Sequence, residues 1–358
     1  MAGIENRSLA ELAAISPAIS AVEQAEQAGQ VTASPEARPA ATRPSRVMQV
    51  ASRFGLLAGL AAIIIVFAIL KPDSFPTIAN FKSTADIAAP LLVLSVGLTV
   101  PLSMGEFDLS IANSSQLSAA AIISLISIVQ LNWGLSVVID CLGALAVGGL
   151  IGFIVVRSGV NAFIITLGAG TVMAGVEFGI AHGSTIFANI PSSYITLGSG
   201  YAFGVPVAVI VALVFAILVW LGMERTVAGR RMRAIGGNLE AARLSGVRVD
   251  QLRAVGFMVS ALAAAIAAVL LTAGAASYYP NAVTAELLPA YAACFLGTTV
   301  FRSNIFEVTG TIVGVAFLAV IQDGLIIAGI SSWIAQVVEG SLLAIAVIAS
   351  RAASRKFS

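Results

Sequence analysis

Acidic side chains inside long apolar runs are the residues of this sequence with the most unusual chemistry. Five of them lie in runs that are long enough to cross a bilayer: Asp140, Glu177, Glu307, Asp323 and Glu339. A carboxylate at the centre of such a run costs about 3 kcal/mol on insertion scales. The same runs hold no Lys or Arg, so these groups must be protonated, hydrogen-bonded or hydrated. They either line a polar route between helices or hydrogen-bond one helix to another, and Glu177 and Asp323 are the first candidates for such a route.

A second acidic pair, Glu106 and Asp108, lies in the short polar stretch between the second apolar run and the third. One interpretation is a broken helix whose turn these carboxylates brace together with Ser110. The other is direct contact with a transported substrate. The position of the pair at the end of both runs favours bracing. Glu106 and Asp108 nonetheless join Glu177 and Asp323 as candidates for a translocation pathway.

Residues typical of metal and redox sites are rare in this chain. His182 is the only histidine, and the two cysteines, Cys141 and Cys294, lie in separate apolar runs. This usage indicates neither a disulfide framework nor a metal site, and no cofactor is expected. The phosphate-binding pattern Gly-x4-Gly-Lys-Ser/Thr does not occur, so the chain carries no ATPase motif of its own. It is predicted not to be an enzyme, and its formal net charge of +1 gives no indication of a nucleic-acid partner.

The composition places the chain in a membrane. Of its 358 residues, 58% are hydrophobic and 10% are charged, whereas soluble domains have about 25% charged residues. Apolar runs alternate with short polar breaks, which predicts an all-α, polytopic bundle of about ten transmembrane helices. The predicted spans are 54–70, 85–103, 111–131, 133–156, 160–182, 204–223, 254–273, 283–300, 305–328 and 332–350.

Basic residues predict the orientation of these spans. Seventeen of the nineteen Lys and Arg residues precede the first span or follow an even-numbered one, and only Lys71 and Lys82 fall on the other side. Because Lys and Arg concentrate on the cytoplasmic side, both termini are predicted to be cytoplasmic. Removing the weak eighth span would place the C-terminal basic residues on the wrong face, so ten is the better count. The expected location is the plasma (inner) membrane, as a multi-pass protein surrounded by lipid.

The chain divides into two regions of different composition. Residues 1–46 are rich in Ala, Glu, Gln, Ser and Pro and are predicted to be a disordered cytoplasmic extension. Residues 47–358 are predicted to form the transmembrane domain, with a long cytoplasmic loop over 224–253.

Glycines spaced four apart inside the spans predict close packing between helices, because small residues let helix backbones approach each other. The pairs are Gly55 with Gly59, Gly148 with Gly152, Gly175 with Gly179, and Gly310 with Gly314.

The long loop after the sixth span carries the signals for a short helix. Gly236 and Gly237 permit a sharp turn, Asn238 is suited to cap a helix over 239–244, and Gly246 suits its C-terminal end. A helix of two turns is marginal in water on its own, so it needs a surface to rest on. The alternative is an amphipathic connector whose arginines reflect only the excess of basic residues on the cytoplasmic side. The residues of the turn and the helix up to Arg243 are Gly236, Gly237, Asn238, Leu239, Glu240, Ala241, Ala242 and Arg243.

Four stretches of the chain resemble permease subunits of ATP-binding-cassette importers, in the ribose and simple-sugar branch related to branched-chain amino acid permeases. They lie in order along residues 85–350, and the loop resembles the segment through which such permeases couple to an ATPase. The stretches are Gly105-Glu-Phe-Asp-Leu-Ser110; Asn161-Ala-Phe-Ile-Ile-Thr-Leu-Gly168; Gly229-Arg-Arg-Met-Arg-Ala-Ile-Gly-Gly-Asn238 with Glu240-Ala-Ala-Arg-Leu-Ser-Gly-Val247; and Ala292-Ala-Cys-Phe-Leu-Gly297 with Gly310-Thr311 and Asp323-Gly-Leu325.

The resemblance implies a function and a set of partners. Two permease subunits, expected as a homodimer, would form the pathway for a monosaccharide or related polyol. An extracytoplasmic sugar-binding protein would deliver the sugar, and a cytoplasmic ATP-binding subunit would dock on residues 236–243. Neutral sugars are held by hydrogen bonds and stacking, which four tyrosines in predicted external loops could supply; interfacial anchoring is the alternative role for them. They are Tyr194, Tyr201, Tyr278 and Tyr279.

Two other functions remain open at the level of the sequence. An ion-coupled secondary carrier for a small polar solute would use the intramembrane carboxylates for coupling, and its uptake would follow an ion gradient rather than ATP. A membrane scaffold would recruit partners through residues 1–46. Full uptake after removal of that extension would leave it no essential role.

Overall fold

The structure is a computed structural model that describes residues 46–300, 305–331, 333–338, 340, 341 and 344. The chain divides into two units, Met1–Gln49 and Val50–Ser358, and the side-chain contacts below lie within the second. The predicted extension over 1–46 lies outside the described residues except for Arg46, where the first helix begins. The predicted site of Glu339 also lies outside them.

The described part of the chain is helical apart from short turns and one small hairpin. A two-stranded antiparallel hairpin joins β1 (Tyr201–Ala202) to β2 (Val205–Pro206). The helices are α1 (Arg46–Leu70), α2 (Ile78–Ser103), α3 (Ile111–Ser127), α4 (Trp133–Ser158), α5 (Ala162–Ala181), α6 (Ser192–Ser199), α7 (Val207–Trp220), α8 (Val227–Gly237), α9 (Leu239–Leu244), α10 (Val249–Ala275), α11 (Leu287–Gly297) and α12 (Val308–Ile327), with a π-helical turn at Leu221–Arg225 and a 3-10 turn at Thr284–Glu286.

Six of the described helices are long and apolar enough to cross a membrane. They are Ile78–Ser103, Trp133–Ser158, Ala162–Ala181, Val207–Arg225, Val249–Ala275 and Val308–Ile327, and Gly55–Leu70 and Ile111–Ser127 are shorter apolar helices. The chain is therefore a polytopic helical membrane protein, as predicted. Its first nine predicted spans each coincide with one of these helices or with α11, and only residues 333–338, 340, 341 and 344 of the tenth are described.

Two details of the prediction need correction. The eighth predicted span, 283–300, contains the 3-10 turn Thr284–Glu286 and the 11-residue helix α11, and α11 extends about 16 Å at 1.5 Å per residue. It is therefore shorter than the hydrocarbon core, which is about 30 Å thick. The loop after α5 is also more structured than predicted, because it contains α6 and the hairpin.

Helices α2 and α10 form the centre of the bundle. The side chains of α2 are buried without interruption from Ala89 to Ser103, apart from Leu92. Helix α10 is rich in buried alanines, and the two helices approach each other closely where Gly97 meets Ala263. A side chain at position 97 would overlap the methyl group of that alanine. Small residues thus permit the backbone contact that lipid provides no hydrophobic force to create.

The four glycine pairs differ in how closely they pack against neighbouring helices. Gly148 and Gly152 lie on the backbone of α10, and Gly310 and Gly314 lie on the backbone of α11, so the predicted packing is confirmed for these two pairs. The pair Gly175 and Gly179 has no atom within 4 Å of the Cβ position, so within the described part of this subunit the prediction is wrong for α5. In the first pair, Gly59 approaches only the ring of Phe317, and Gly55 approaches nothing.

Contacts between distant segments define two ends of the bundle. At one end, which we call the basic end, the α2–α3 turn contacts Arg253 of α10. The arginine-rich loop 224–253 follows α7 at the same end. At the other end, which we call the opposite end, Ile186 and Tyr278 form an isolated antiparallel bridge. Helix α2 runs from the opposite end to the basic end.

Candidate functional site

The loop 224–253 folds into two short helices at the basic end. Thr226 caps α8 by accepting a hydrogen bond from the backbone nitrogen of Gly229, 3.2 Å away. One face of α8 is buried through Met232 and Ile235. On its other side, Arg233 forms an ion pair with Glu224 in the preceding turn. These contacts hold α8 against the ends of the membrane helices.

Helix α9 forms where the sequence predicts it. The side chain of Asn238 accepts a hydrogen bond from the backbone nitrogen of Ala241 at 2.9 Å, which confirms the predicted cap. Gly246 has a φ of +77°, the left-handed conformation that ends a helix, which confirms the predicted stop. Ala242 is the buried residue of α9, so its small side chain allows close contact with the surface beneath.

The sharp turn predicted at Gly236 and Gly237 is wrong. Both residues belong to α8, and the chain turns instead at Asn238, whose backbone is extended with φ −159° and ψ 105°. Gly236 lies against the backbone carbonyl of Ser103 at the end of α2, where any Cβ atom would overlap the carbonyl oxygen. Gly237 has no atom within 4 Å of its Cβ position. Gly236 is thus required for close approach rather than for a turn.

The exposed face of α9 combines charges with one apolar side chain. Leu244 is 89% exposed, which is unusual for a leucine at the end of a structured helix. Arg243 lies 3.7 Å from Glu240 and 3.3 Å from Asp250, and the side chains of all three are more than half exposed. Leu244 is not among the residues that the sequence analysis singled out. Its signal is an apolar residue at the end of a short polar helix, but a buried leucine would give the same pattern.

The cap of α9 gives a testable prediction. We expect Asn238→Ala to destabilise α9 by about 1 kcal/mol, because the backbone nitrogen of Ala241 loses its acceptor. That change corresponds to about fivefold faster amide exchange along α9. Hydrogen–deuterium exchange of the purified protein measures it, with Asn238→Asp, which keeps the acceptor, as the control. Unchanged exchange in the alanine variant would show that the cap does not stabilise the helix.

The α2–α3 turn lies directly beneath this loop and is held by Asp108. One carboxylate oxygen, Oδ1, accepts hydrogen bonds from the backbone nitrogen and the hydroxyl of Ser110 at 3.0 and 2.5 Å. The other, Oδ2, accepts a hydrogen bond from the hydroxyl of Ser260 on α10 at 2.6 Å. Burial raises the pKa of Asp108 above its ordinary value, and the hydrogen bonds from the two serines oppose that rise. Both oxygens are therefore engaged inside the protein.

Two further contacts fix the same turn. The Nε atom of Arg253 donates to the Oε1 atom of Glu106 at 2.6 Å, and the two side chains are only 14% and 9% exposed. Thr166 of α5 accepts a hydrogen bond from the backbone nitrogen of Leu109 at 3.1 Å. We call residues 105–110 with Thr166, Arg253 and Ser260 the hub. The hub ties α2 and α3 to α5 and α10, and these contacts favour bracing as the role of Glu106 and Asp108.

Glu177 lies at the opposite end in a separate hydrogen-bond cluster. It accepts a hydrogen bond from the hydroxyl of Tyr278 and another from the side-chain nitrogen of Gln116, the latter at 3.2 Å. Gln116 also donates to the backbone oxygen of Tyr279 at 3.1 Å and accepts from the backbone nitrogen of Val283 at 2.9 Å. This cluster attaches the segment after α10 to α3 and α5.

Asp323 also lies at the opposite end, where its hydrogen-bond partner differs from those of Glu177. Its Oδ2 atom accepts a hydrogen bond from the side-chain nitrogen of Asn80 at 2.7 Å, which joins α12 to the start of α2. Asn80 and Ser103 are 23 residues apart along α2, or about 35 Å at 1.5 Å per residue. The four predicted pathway residues are therefore not brought together in this structure: Glu106 and Asp108 lie at one end, and Glu177 and Asp323 have different partners at the other.

A cavity of about 330 Å³ opens at the opposite end between α2, α6, α10 and the segment after α10. Asp86 of α2 lines it, and its Oδ1 atom is buried with no hydrogen-bond partner among the described residues. Sequence reasoning missed Asp86, although the residue falls inside the predicted second span. The signal was the same as for the five carboxylates singled out, namely an acidic residue within a predicted span.

The four tyrosines predicted for the external loops do not form one surface. Tyr194 and Tyr278 are fully buried, whereas Tyr201 and Tyr279 are exposed. The hydroxyl of Tyr194 lies 2.6 Å from that of Thr272 on α10. Two of the tyrosines are therefore held inside the protein by hydrogen bonds, and the stacking surface expected from the sequence is not present. No group of three His, Cys, Asp or Glu residues that could hold a metal ion occurs among the residues the structure describes.

Comparison with known proteins adds family information to this geometry. The family described as "Branched-chain amino acid transport system / permease component" matches residues 80–347. The chain is 29% identical over 294 residues to the ribose import permease protein RbsC of Haemophilus influenzae, covering 81% of this chain and 90% of that protein.

Two relatives from Escherichia coli strain K12 are similar over comparable lengths. The L-arabinose transport system permease protein AraH is 28% identical over 299 residues, with 84% of this chain and 90% of that protein covered. The D-allose transport system permease protein AlsC is 28% identical over 311 residues, with 85% and 93% covered. No solved structure matches the chain.

Proposed function

We infer the function from one premise, that the chain belongs to the family of branched-chain amino acid transport system permease components. It is accordingly the transmembrane component of an ATP-binding-cassette transporter, a multi-pass membrane protein, and not itself an enzyme. We propose that it forms the translocation pathway of an importer for a monosaccharide or a related polyol. The observation that carries the substrate class is the similarity over most of its length to permeases named for ribose, L-arabinose and D-allose.

The proposed orientation places the basic end in the cytoplasm. Seventeen of the nineteen Lys and Arg residues then lie on the cytoplasmic side, with ten spans and both termini inside. Residues 1–46 are proposed to extend into the cytoplasm ahead of the transmembrane domain. In this orientation α9 faces the cytoplasm, and the 330 Å³ cavity opens toward the outside.

The proposed coupling contact is the exposed face of α9. An ATP-binding subunit would receive the apolar tip of Leu244, flanked by the exposed charges of Glu240 and Arg243. Apolar anchors ringed by charged groups are typical of the centre and rim of protein interfaces. Motion of α9 would reach the membrane helices through Gly236 on the end of α2 and through the hub. Small shifts of packed helices of this kind are one of the recurrent ways in which proteins switch state.

The remaining partners follow from the same proposal. A second permease subunit, as a homodimer, would complete the pathway, and an extracytoplasmic sugar-binding protein would deliver the cargo at the opposite end. Glu177 and Asp323 remain candidates for lining the pathway, and Glu106 and Asp108 remain candidates with bracing as the favoured role.

Reconstitution tests the proposal. The purified permease is placed in liposomes with a candidate ATP-binding subunit and a candidate sugar-binding protein from the same organism, and uptake of labelled D-ribose, L-arabinose, D-allose and leucine is measured. We expect ATP-dependent uptake of at least one sugar that ionophores do not affect. Uptake that follows an ion gradient without ATP would establish the secondary carrier instead. ATP-dependent uptake of leucine alone would overturn the sugar assignment.

A further inference from the structure

We propose that the cavity beside Asp86 is a binding site for a hydroxyl-rich neutral ligand, held by hydrogen bonds to the Asp86 carboxylate. The inference rests on the proposed function, since it assigns to the transported molecule a binding site at the outer end of the membrane domain. The cavity of about 330 Å³ falls in the size range of sites for small organic molecules.

The first support is an acidic acceptor in the wall. Asp86 lines the cavity, and an ionised carboxylate only accepts hydrogen bonds. None of the cavity's lining residues is a Lys, Arg or His, so the chain supplies no countercharge there. A ligand that carries hydrogen-bond donors would satisfy the carboxylate.

The second support is the polarity of the other lining groups. Five residues with hydroxyl groups line the cavity: Ser199, Thr272, Ser277, Tyr278 and Tyr279. Ser199 donates its proton to the backbone oxygen of Ile195 and Ser277 to that of Ala275, both at 3.1 Å, so each can still accept a hydrogen bond. The hydroxyls of Thr272 and Tyr278 are engaged with other residues of the chain. The wall therefore offers hydroxyl acceptors beside the carboxylate, which complement a molecule with several free hydroxyls.

The third support is the apolar remainder of the wall. Ile87, Pro90, Leu270 and Val283 line the same space. A sugar presents C–H faces as well as hydroxyl edges, so it can use both kinds of wall, and sites for small molecules combine an apolar lining with a few placed polar groups in this way.

The rim of the cavity is fixed before any ligand arrives. Two backbone hydrogen bonds join Tyr278 to Ile186, at 2.8 and 2.9 Å. The side chain of Gln116 holds the backbone of Tyr279 and Val283. Because the segment over 278–283 is tied to α3 and to the loop after α5, little ordering is needed when a ligand binds.

Binding of D-ribose to the permease alone, in lipid nanodiscs without its ATPase, tests the inference. Saturation-transfer NMR measures the affinity of the wild type, Asp86→Asn and Asp86→Leu, with Asp73→Asn as the control. Asp73 is exposed and does not line the cavity. We expect the leucine variant to bind at least about tenfold more weakly, because it loses a hydrogen bond to a charged group. We expect the asparagine variant, which keeps an acceptor, to stay within about threefold of the wild type, and the control to be unchanged.

Three outcomes would overturn the inference. Equal binding by the wild type and Asp86→Leu would show that the carboxylate holds no ligand. Loss of ribose binding in Asp86→Asn as complete as in Asp86→Leu would show that the negative charge is essential and that a neutral hydrogen-bond acceptor does not suffice. If the leucine variant fails to fold, Ala282→Trp fills the cavity from its rim, and unaltered ribose binding by that variant would also contradict the site. ATP-dependent sugar uptake with a negative binding result would remove this site and leave the proposed function in place.

Discussion

Gly236→Ala is expected to fold and to lose ATP-driven uptake, because the added methyl group overlaps the carbonyl oxygen of Ser103 at the end of α2. Overpacking of this kind costs about 1–3 kcal/mol. The ratio of molecules in which α8 packs on the end of α2 to those in which it has moved away therefore falls about 5- to 150-fold. The helices of the membrane domain do not depend on this contact. We therefore expect ATP hydrolysis by the assembled transporter to continue while sugar uptake falls.

The neighbouring glycine provides a matched control. Gly237→Ala adds the same methyl group one residue further along α8, where no atom lies within 4 Å. Alanine is a better helix former than glycine by about 1 kcal/mol, so this variant is expected to be as stable as the wild type or slightly more stable. Uptake and ATP hydrolysis are measured on both variants in the same liposomes. Equal uptake by the two variants would show that the contact between α8 and α2 does not transmit motion from α9 to the membrane helices.

Arg253→Met is expected to destabilise the folded protein strongly, because it leaves the carboxylate of Glu106 buried without its partner. Removing one member of a buried ion pair costs about 3–5 kcal/mol. Methionine keeps the apolar stem of the arginine, so the loss reports the charge rather than the packing. The thermal unfolding midpoint of the purified permease measures this effect, and uptake is expected to fall with it.

Two further variants test whether the loss of stability comes from the buried ion pair between Arg253 and Glu106. Adding Glu106→Gln to Arg253→Met removes the orphaned charge, so the double variant is expected to regain most of the lost stability. Arg243→Met breaks an exposed pairing with Glu240 and Asp250 and is expected to cost less than about 1 kcal/mol. An unfolding midpoint of Arg253→Met equal to that of Arg243→Met would show that the hub does not depend on this ion pair.

Features that depend on neighbours in the sequence were predictable. The cap at Asn238, the helix over 239–244 and the stop at Gly246 were all found where the sequence placed them, because each is set by residues within two turns. The long apolar helices follow from composition for the same reason. The number of membrane-spanning helices is harder to predict from the sequence, because the apolar stretch around α11 extends beyond the 11 residues of the helix.

Features that depend on distant contacts were not predictable. The partner of Glu106 is Arg253, 147 residues away, and nothing in the sequence around either residue points to the other. Gly236 predicts a turn because glycine permits one, whereas the structure shows that its constraint is the carbonyl of Ser103. The burial of Tyr194 and Tyr278 likewise follows from hydrogen bonds to Thr272 and Glu177 on other helices.

Asp86 shows a third reason why a candidate site residue cannot be recognised from the sequence alone. Its position in the second span could be read from the sequence, but the role proposed for it depends on a cavity that six separate segments line. A carboxylate that faces such a space and one that bonds to a neighbouring helix, as Asp323 bonds to Asn80, look the same in sequence.

The central claim is that α9 lies in the cytoplasm and is the surface on which the ATP-binding subunit acts. Its most direct test is a single cysteine at the exposed tip, Leu244→Cys, with Cys141 and Cys294 replaced by alanine so that no other thiol reacts. We predict that a membrane-impermeant maleimide labels this cysteine in inside-out vesicles only, and that the bound ATP-binding subunit protects it. Labelling from the outside, or labelling that the ATP-binding subunit leaves unchanged, would contradict the account.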